Sequence, residues 1–208
     1  MIDHDLPPGE KWRQYELLAL GFRDFARVGA NAPLNPFRLA KFANLFVIDF
    51  DQIKGLRKKT RERLLGSASE EWSGGACSRP LPDGRRIVIL NPNHGRTRTN
   101  ATLMEEISHV FLGHQPNRLK IVAQDARGRT ISRDYRKADE EAAYATGAAA
   151  LVPFSALRGF VLAGQTSTEI AKHFRVSREL VEYRLKVTHL WRIYRAAHSH
   201  FQYQNREW

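Results

Sequence analysis

With 208 residues, a single cysteine and no long uninterrupted apolar run, the chain is large enough to bury a core without disulfides and too broken in hydropathy to span a bilayer. Its first residues, MIDHDLPPGEKW, lack the basic start and apolar segment of a signal peptide, so a cytoplasmic location with no membrane partner is expected; the lone Cys77 agrees with a reducing compartment. The formal net charge of +11 points to an acidic partner, nucleic acid above all, although the basic residues are scattered rather than gathered in one tract.

From the N-terminus, Lys11 to Val28 carries Trp12, Tyr15, Leu18, Leu20, Phe22 and Phe25 at mixed three- and four-residue steps, the pattern of an amphipathic helix. A short helix from Pro36 to Ala43 is expected next, with Asn35 as N-cap and Pro36 in the first helical position. Leu45 to Phe50 (LFVIDF) reads as a strand, and Lys54 to Leu65 as a basic, solvent-facing helix. Around the turn signal Pro82-Asp83-Gly84 a hairpin is expected, one arm near Ala76 to Arg79 and the other, RRIVIL, ending at Leu90. A polar loop, Asn91 to Asn100, leads into TLMEEISHVFLGH, Thr102 to His114, with Thr99 or Asn100 as its N-cap. LKIVAQ (Leu119 to Gln124) is a further strand candidate, followed by a turn at Asp125 to Arg129. Tyr135 to Val152 is a second helix whose alanines and glycine offer a smooth face to a neighbour, ended by Pro153. Thr166 to Leu185 reads as two short helices joined at Phe174 to Ser177, a helix-turn-helix pattern with Arg178 and Arg184 as candidate DNA-contacting residues. The same pattern also describes two packed helices that touch no DNA.

The chemistry centres on Thr102 to His114. On one helix, Glu105 and His109 lie a turn apart on one face, with Glu106 at the flank. This is the layout of a His-Glu-x-x-His metallopeptidase helix with glutamate in place of the first histidine. One short helix cannot surround an ion. A third ligand is therefore expected from the second helix, Glu141 or its neighbour Glu140, leaving an open position, and Glu106 becomes the general base. His114 is a possible fourth contributor, but five residues after His109 it points well away from the ligand face and is not counted among the ligands.

The order of segments resembles the ImmA/IrrE family of metallopeptidases. The matching stretches are IVILN (Ile87 to Asn91), TLMEEISH (Thr102 to His109), EEAAYATGAAALVP (Glu140 to Pro153) and EIAKHFRVSRELVEYRL (Glu169 to Leu185), and the likeness covers about residues 35 to 190. It implies an α+β fold: a zincin-like core with a small β-hairpin or sheet, an active-site helix, a second acidic helix and a C-terminal helix-turn-helix-like segment. The division implied is an N-terminal helical extension (1–34), a metallopeptidase-like domain (35–160) and a C-terminal helical segment packed on it (161–208). Carried over by position, Glu106 is the catalytic glutamate, and Glu105, His109 and Glu141 are the metal ligands. The activity implied is metal-dependent cleavage of a regulatory or repressor protein, in stress response or mobile-element control. Zinc is the implied metal, with manganese or no metal as alternatives. An inactive regulator that binds DNA or protein through the basic surface is the competing expectation.

Two departures from the family pattern carry consequences. The acidic helix holds one extra residue between Glu141 and Pro153, which leaves Glu140 as the alternative register. Glu105 supplies a second carboxylate, so the ligand charges nearly cancel a divalent ion. That lowers its power to acidify water and shifts preference from zinc toward manganese, iron or magnesium. Without an ion, three crowded carboxylates would need a proton or an arginine among them.

Overall fold

The structure, a computed structural model, describes residues 5–77, 80–114 and 137–204. The strand expected at Leu119 to Gln124 and the turn after it lie outside these residues. The first helix, α1 (Glu10–Phe25), forms as its periodicity predicts, but it buries a different face. Inside are Glu16, Ala19, Phe22 and Arg23, spaced three, three and one apart, while Leu17, Leu18 and Phe25 stay exposed. Two buried charges make this face stable only because each is met. The Glu16 carboxylate pairs with Arg184 and accepts from the Phe154 backbone N–H at 2.6 Å. Arg23 donates to the Ala150 carbonyl at 2.6 Å and to the carbonyls of Gly29 and Ala32. Burial pushes the Arg23 guanidinium down to about 10, with the Glu16 charge opposing.

Helix α2 (Pro36–Phe42) starts as expected, the Asn35 side chain accepting from the Phe37 N–H at 3.0 Å. Strand β1 (Leu45–Ile48) is shorter than predicted, because Phe50 begins a 3-10 turn and buries its ring against Trp72, centroids 5.5 Å apart. Helix α3 (Lys58–Leu65) buries no residue, as its basic sequence suggested. The hairpin arms are β2 (Gly74–Ala76) and β3 (Arg86–Leu90), antiparallel with Gly74 opposite Leu90 and Ala76 opposite Val88. The first arm thus lies a little earlier than expected. At Gly74 a Cβ would come within 2.8 Å of the Thr102 Cγ2, so a bare backbone lets the hairpin approach the central helix. β1 pairs parallel with β3, Leu45 opposite Arg86, which gives the sheet order β1-β3-β2 and puts β3 in the middle.

Across this sheet lies α4 (Arg96–Phe111), and against α4 lies α5 (Lys137–Leu151). Gly147 is the point of closest approach: a Cβ there would sit 3.3 Å from the backbone carbonyl of Met104 and 3.4 Å from the Glu105 nitrogen. Gly147→Val should therefore force the two helices apart and cost about 1–3 kcal/mol, read as a lowered urea midpoint; an unchanged midpoint would show that the seam has slack.

Pro153 ends α5 as expected, and after it comes α6 (Phe154–Leu162), for which the sequence analysis gave no element. The helix-turn-helix pair is α7 (Ser167–Phe174) and α8 (Arg178–Val187). A capping box of Thr166 and Glu169 opens α7, Arg175 in the left-handed region closes it, and Ser177 caps α8. Ile170, Ala171, Phe174, Val176, Leu180, Val181 and Leu185 are all buried, as their pattern required. Helix α9 (Trp191–Gln204) follows, its Tyr194 hydroxyl accepting from the Ser167 N–H at 2.9 Å. One hydrophobic cluster runs from Ala19 to Leu190 and draws on the N-terminal, central and C-terminal spans alike. Among the described residues no single helix is long and apolar enough to cross a membrane.

Tyr183 of α8 packs edge-on against Tyr144 of α5, centroids 5.0 Å apart, and burial pushes its phenol up to about 12. A raised phenol favours the folded state fully below pH 10 and loses that contribution as pH rises toward 12. Tyr183→Phe should therefore lose less stability than the parent between those values, which denaturant titrations at pH 9 and about pH 11 would show. Equal losses in the two proteins would place the ring in water.

Candidate metal centre

The central helix, α4, begins earlier and ends sooner than the sequence suggested. Its N-cap is Gly95, not Thr99 or Asn100, and it stops at Phe111. Gly113 then takes φ +68°, a conformation natural to glycine, and the last turn closes with two reversed bonds: His114 N–H to the His109 carbonyl at 3.0 Å and Gly113 N–H to Val110 at 3.1 Å. This is the Schellman geometry, which folds the residue after the glycine back over the helix end. His114 is that residue. Its Nδ1 lies 3.0 Å from the Nδ1 of His109 and its Nε2 lies 3.8 Å from Asp139 of α5. The expectation that His114 points away is thus corrected, because the helix does not continue to it. The signal that would have found it is the Gly-His pair two residues after the last helical position.

Glu105, His109 and Glu140 converge, one ligand atom from each lying within 4.8 Å of the others. His109 Nε2 is 3.8 Å from Glu140 Oε2. Two donors on one tetrahedral ion, each bound at about 2.1 Å, are roughly 3.4 Å apart, so the spacing fits a divalent ion without a large rearrangement. Glu140, rather than Glu141, faces α4. It lies seven residues before Gly147, two turns along the same face of α5, and so shares the side on which the helices touch. Glu141, one step around the helix, leaves the site and pairs with Lys11 of α1 at 2.6 Å, holding the Lys11 ammonium above its usual range through that hydrogen bond. His109 and Glu106 are 5% and 7% exposed, and both line the cleft.

That cleft has a volume of about 540 Å³. Glu105, Glu106, His109 and Glu140 form one wall, Gly74 and Gly75 of the edge strand border it, and Phe50, Ile53, Leu56 and Trp72 give it an apolar side. Tyr144, one turn after Glu140 and absent from the sequence-derived candidates, is held above its usual pKa by burial and then by the charge of Glu105. The result is an acidic cleft in a chain of net charge +11.

The candidate DNA-contacting residues do not share a surface. Arg178 is exposed and pairs with Glu182 at 3.2 Å. Arg184 is 1% exposed; it holds Glu16 and donates through Nε to the Val152 carbonyl at 3.0 Å. Its place among the DNA-contacting candidates is therefore corrected: α8 turns this face inward to tie α1 to the end of α5.

No curated protein matches the chain. Among solved structures, a transcriptional regulator from Mycobacterium tuberculosis is 12% identical, with a TM-score of 0.47, covering 83% of this chain and 47% of its own, so the chain spans about half the length of that protein. Residues 46–186 match a peptidase family model described as the IrrE N-terminal-like domain. That match covers well over half of the sequence, running from within β1 to within α8, and the chain therefore belongs to the IrrE N-terminal-like peptidase family.

Proposed function

We propose that the chain is a divalent-metal-dependent endopeptidase of the ImmA/IrrE type that acts on a regulatory or repressor protein, with Glu105, His109 and Glu140 holding the metal and Glu106 as general base. The observation that carries this reading is the convergence of three donors from two helices within 4.8 Å, in the wall of an open cleft. A divalent ion there would polarise a peptide carbonyl and make water a better nucleophile at neutral pH. The chain does the rest. Glu106 stands beside the ligand face, where it accepts the proton of the attacking water and returns it to the leaving amine. The apolar side of the cleft, Phe50 and Trp72 foremost, holds a substrate side chain and excludes bulk water. With two carboxylates and one imidazole, the site favours manganese or iron more than a two-histidine site would.

Protein purified and dialysed against zinc or manganese should retain about one equivalent per chain, and His109→Ala should retain less than about a tenth of that. Glu106→Gln should keep the metal and lose cleavage of an unfolded protein substrate by at least about a hundredfold. A protein that takes up neither ion would overturn the reading.

A further inference from the structure

Valence demands one donor and one acceptor in the contact between His109 and His114, and the reading of His109 as a ligand sets its direction. A neutral imidazole has one N–H and one lone pair, so two facing Nδ1 atoms at 3.0 Å need one donor and one acceptor. Nε2 of His109 faces Glu140, the side on which the three donors converge. To present a lone pair there, His109 must carry its proton on Nδ1 and donate it. His114 must then accept through Nδ1, which puts its own proton on Nε2, the atom that faces Asp139 Oδ1 at 3.8 Å. The three side chains are thus ordered in one sense, from carboxylate to ligand atom, with a hydrogen bond between the rings and a longer charge contact to Asp139. The His114 side chain is 13% exposed and that of His109 7%, so water competes little for either ring.

We propose that His114 is a positioning residue: held by Asp139, it fixes His109 as the Nδ1–H tautomer and aims the Nε2 lone pair into the Glu105–His109–Glu140 cluster. The proposal rests on the reading of those three residues as ligands. It assigns a task to a short stretch, Leu112 to His114, that the ligand motif leaves out. The backbone supports the task, since the Schellman turn that reverses the chain at Gly113 hydrogen-bonds His114 N–H to the carbonyl of His109 itself, fixing both ends of the contact. The general effect is that of an outer-shell partner on a ligating histidine, with an imidazole in the place usually taken by a carboxylate or carbonyl.

Two variants separate hydrogen bonding from packing. His114→Phe keeps a ring against His109 but has no acceptor; His114→Asn puts an amide oxygen where Nδ1 stands. Zinc(II) and manganese(II) affinity, measured by calorimetry, should fall about 10–100-fold in His114→Phe and recover to within about threefold of the parent in His114→Asn, with Asp139→Asn in between. In zinc-loaded protein at about pH 8, above the ordinary histidine range, nitrogen-15 NMR should show His114 protonated on Nε2 and accepting through Nδ1. Unchanged affinity in His114→Phe, no recovery in His114→Asn, or an Nδ1–H His114 in the zinc-loaded parent would each overturn the proposal. If the parent takes up neither metal, the function proposed above fails and this proposal with it; a parent that binds metal while His114→Phe binds it equally well fails this proposal alone.

Discussion

Arg184→Ala is expected to destabilise the protein by about 3–5 kcal/mol, a large share of the stability of a domain this size. The side chain is an internal brace. It meets Glu16 of α1 and the Val152 carbonyl where α5 ends, and both partners of the ion pair are 1% exposed. Removing the guanidinium leaves the Glu16 carboxylate buried with, among the described residues, the Phe154 N–H as its hydrogen-bond donor and the Arg23 charge further off. The cost belongs to the orphaned charge more than to the pair. Glu16→Leu combined with Arg184→Met should consequently lose much less than the sum of the single changes, since an apolar pair of similar volume often replaces a buried ion pair at little cost. Denaturant melts of the two single variants and the double variant measure this coupling. Additive losses would mean that the two side chains act independently.

The second large effect is a gain. Glu105→His should bind zinc roughly tenfold or more tightly and reverse any preference for manganese, because an imidazole is the softer donor and removes one of two carboxylate charges from the site. The substitution keeps the spacing of one helical turn to His109, so the site is altered in chemistry rather than in shape. Competition between zinc and manganese during calorimetric titration reads the preference directly. A variant that holds zinc no better than the parent would mean that Glu105 is not a ligand. If Glu106 serves as base in both forms, the variant should also cleave an unfolded protein faster at pH 7, since an ion whose charge is less neutralised acidifies water more strongly.

The candidate site was legible in the sequence at residues whose spacing is local. Glu105, Glu106 and His109 follow from one helix and its period of 3.6, and the structure places them on one cleft wall. The choice between Glu140 and Glu141 was not legible, because adjacent residues on a helix differ by 100° and only the partner helix says which direction is inward. Gly147 carried that information: its contact with the backbone of α4 marks the inward face, and Glu140 is the carboxylate on it. His114 failed for another reason. A helical period was extended past the glycine that ends the helix, and a left-handed residue reverses the direction in which the next side chain points.

The same division holds for the fold. Sequence by itself determined the elements whose stabilising terms lie within a few residues: the Asn35 cap and Pro36 start of α2, the hairpin around Gly84, the exposed α3, and the α7–α8 pair with its seven buried apolar side chains. It also determined the family, since residues 46–186 carry that pattern in order. Tertiary structure alone decided which side of α1 is inside, the parallel pairing of β1 with β3, the inward turn of Arg184 and the meeting of Glu105 and His109 with Glu140. Each of these joins residues far apart in the chain. A buried charge such as Glu16 is favourable only when its partner, 168 positions away, is already in place, and no local pattern of hydropathy encodes that.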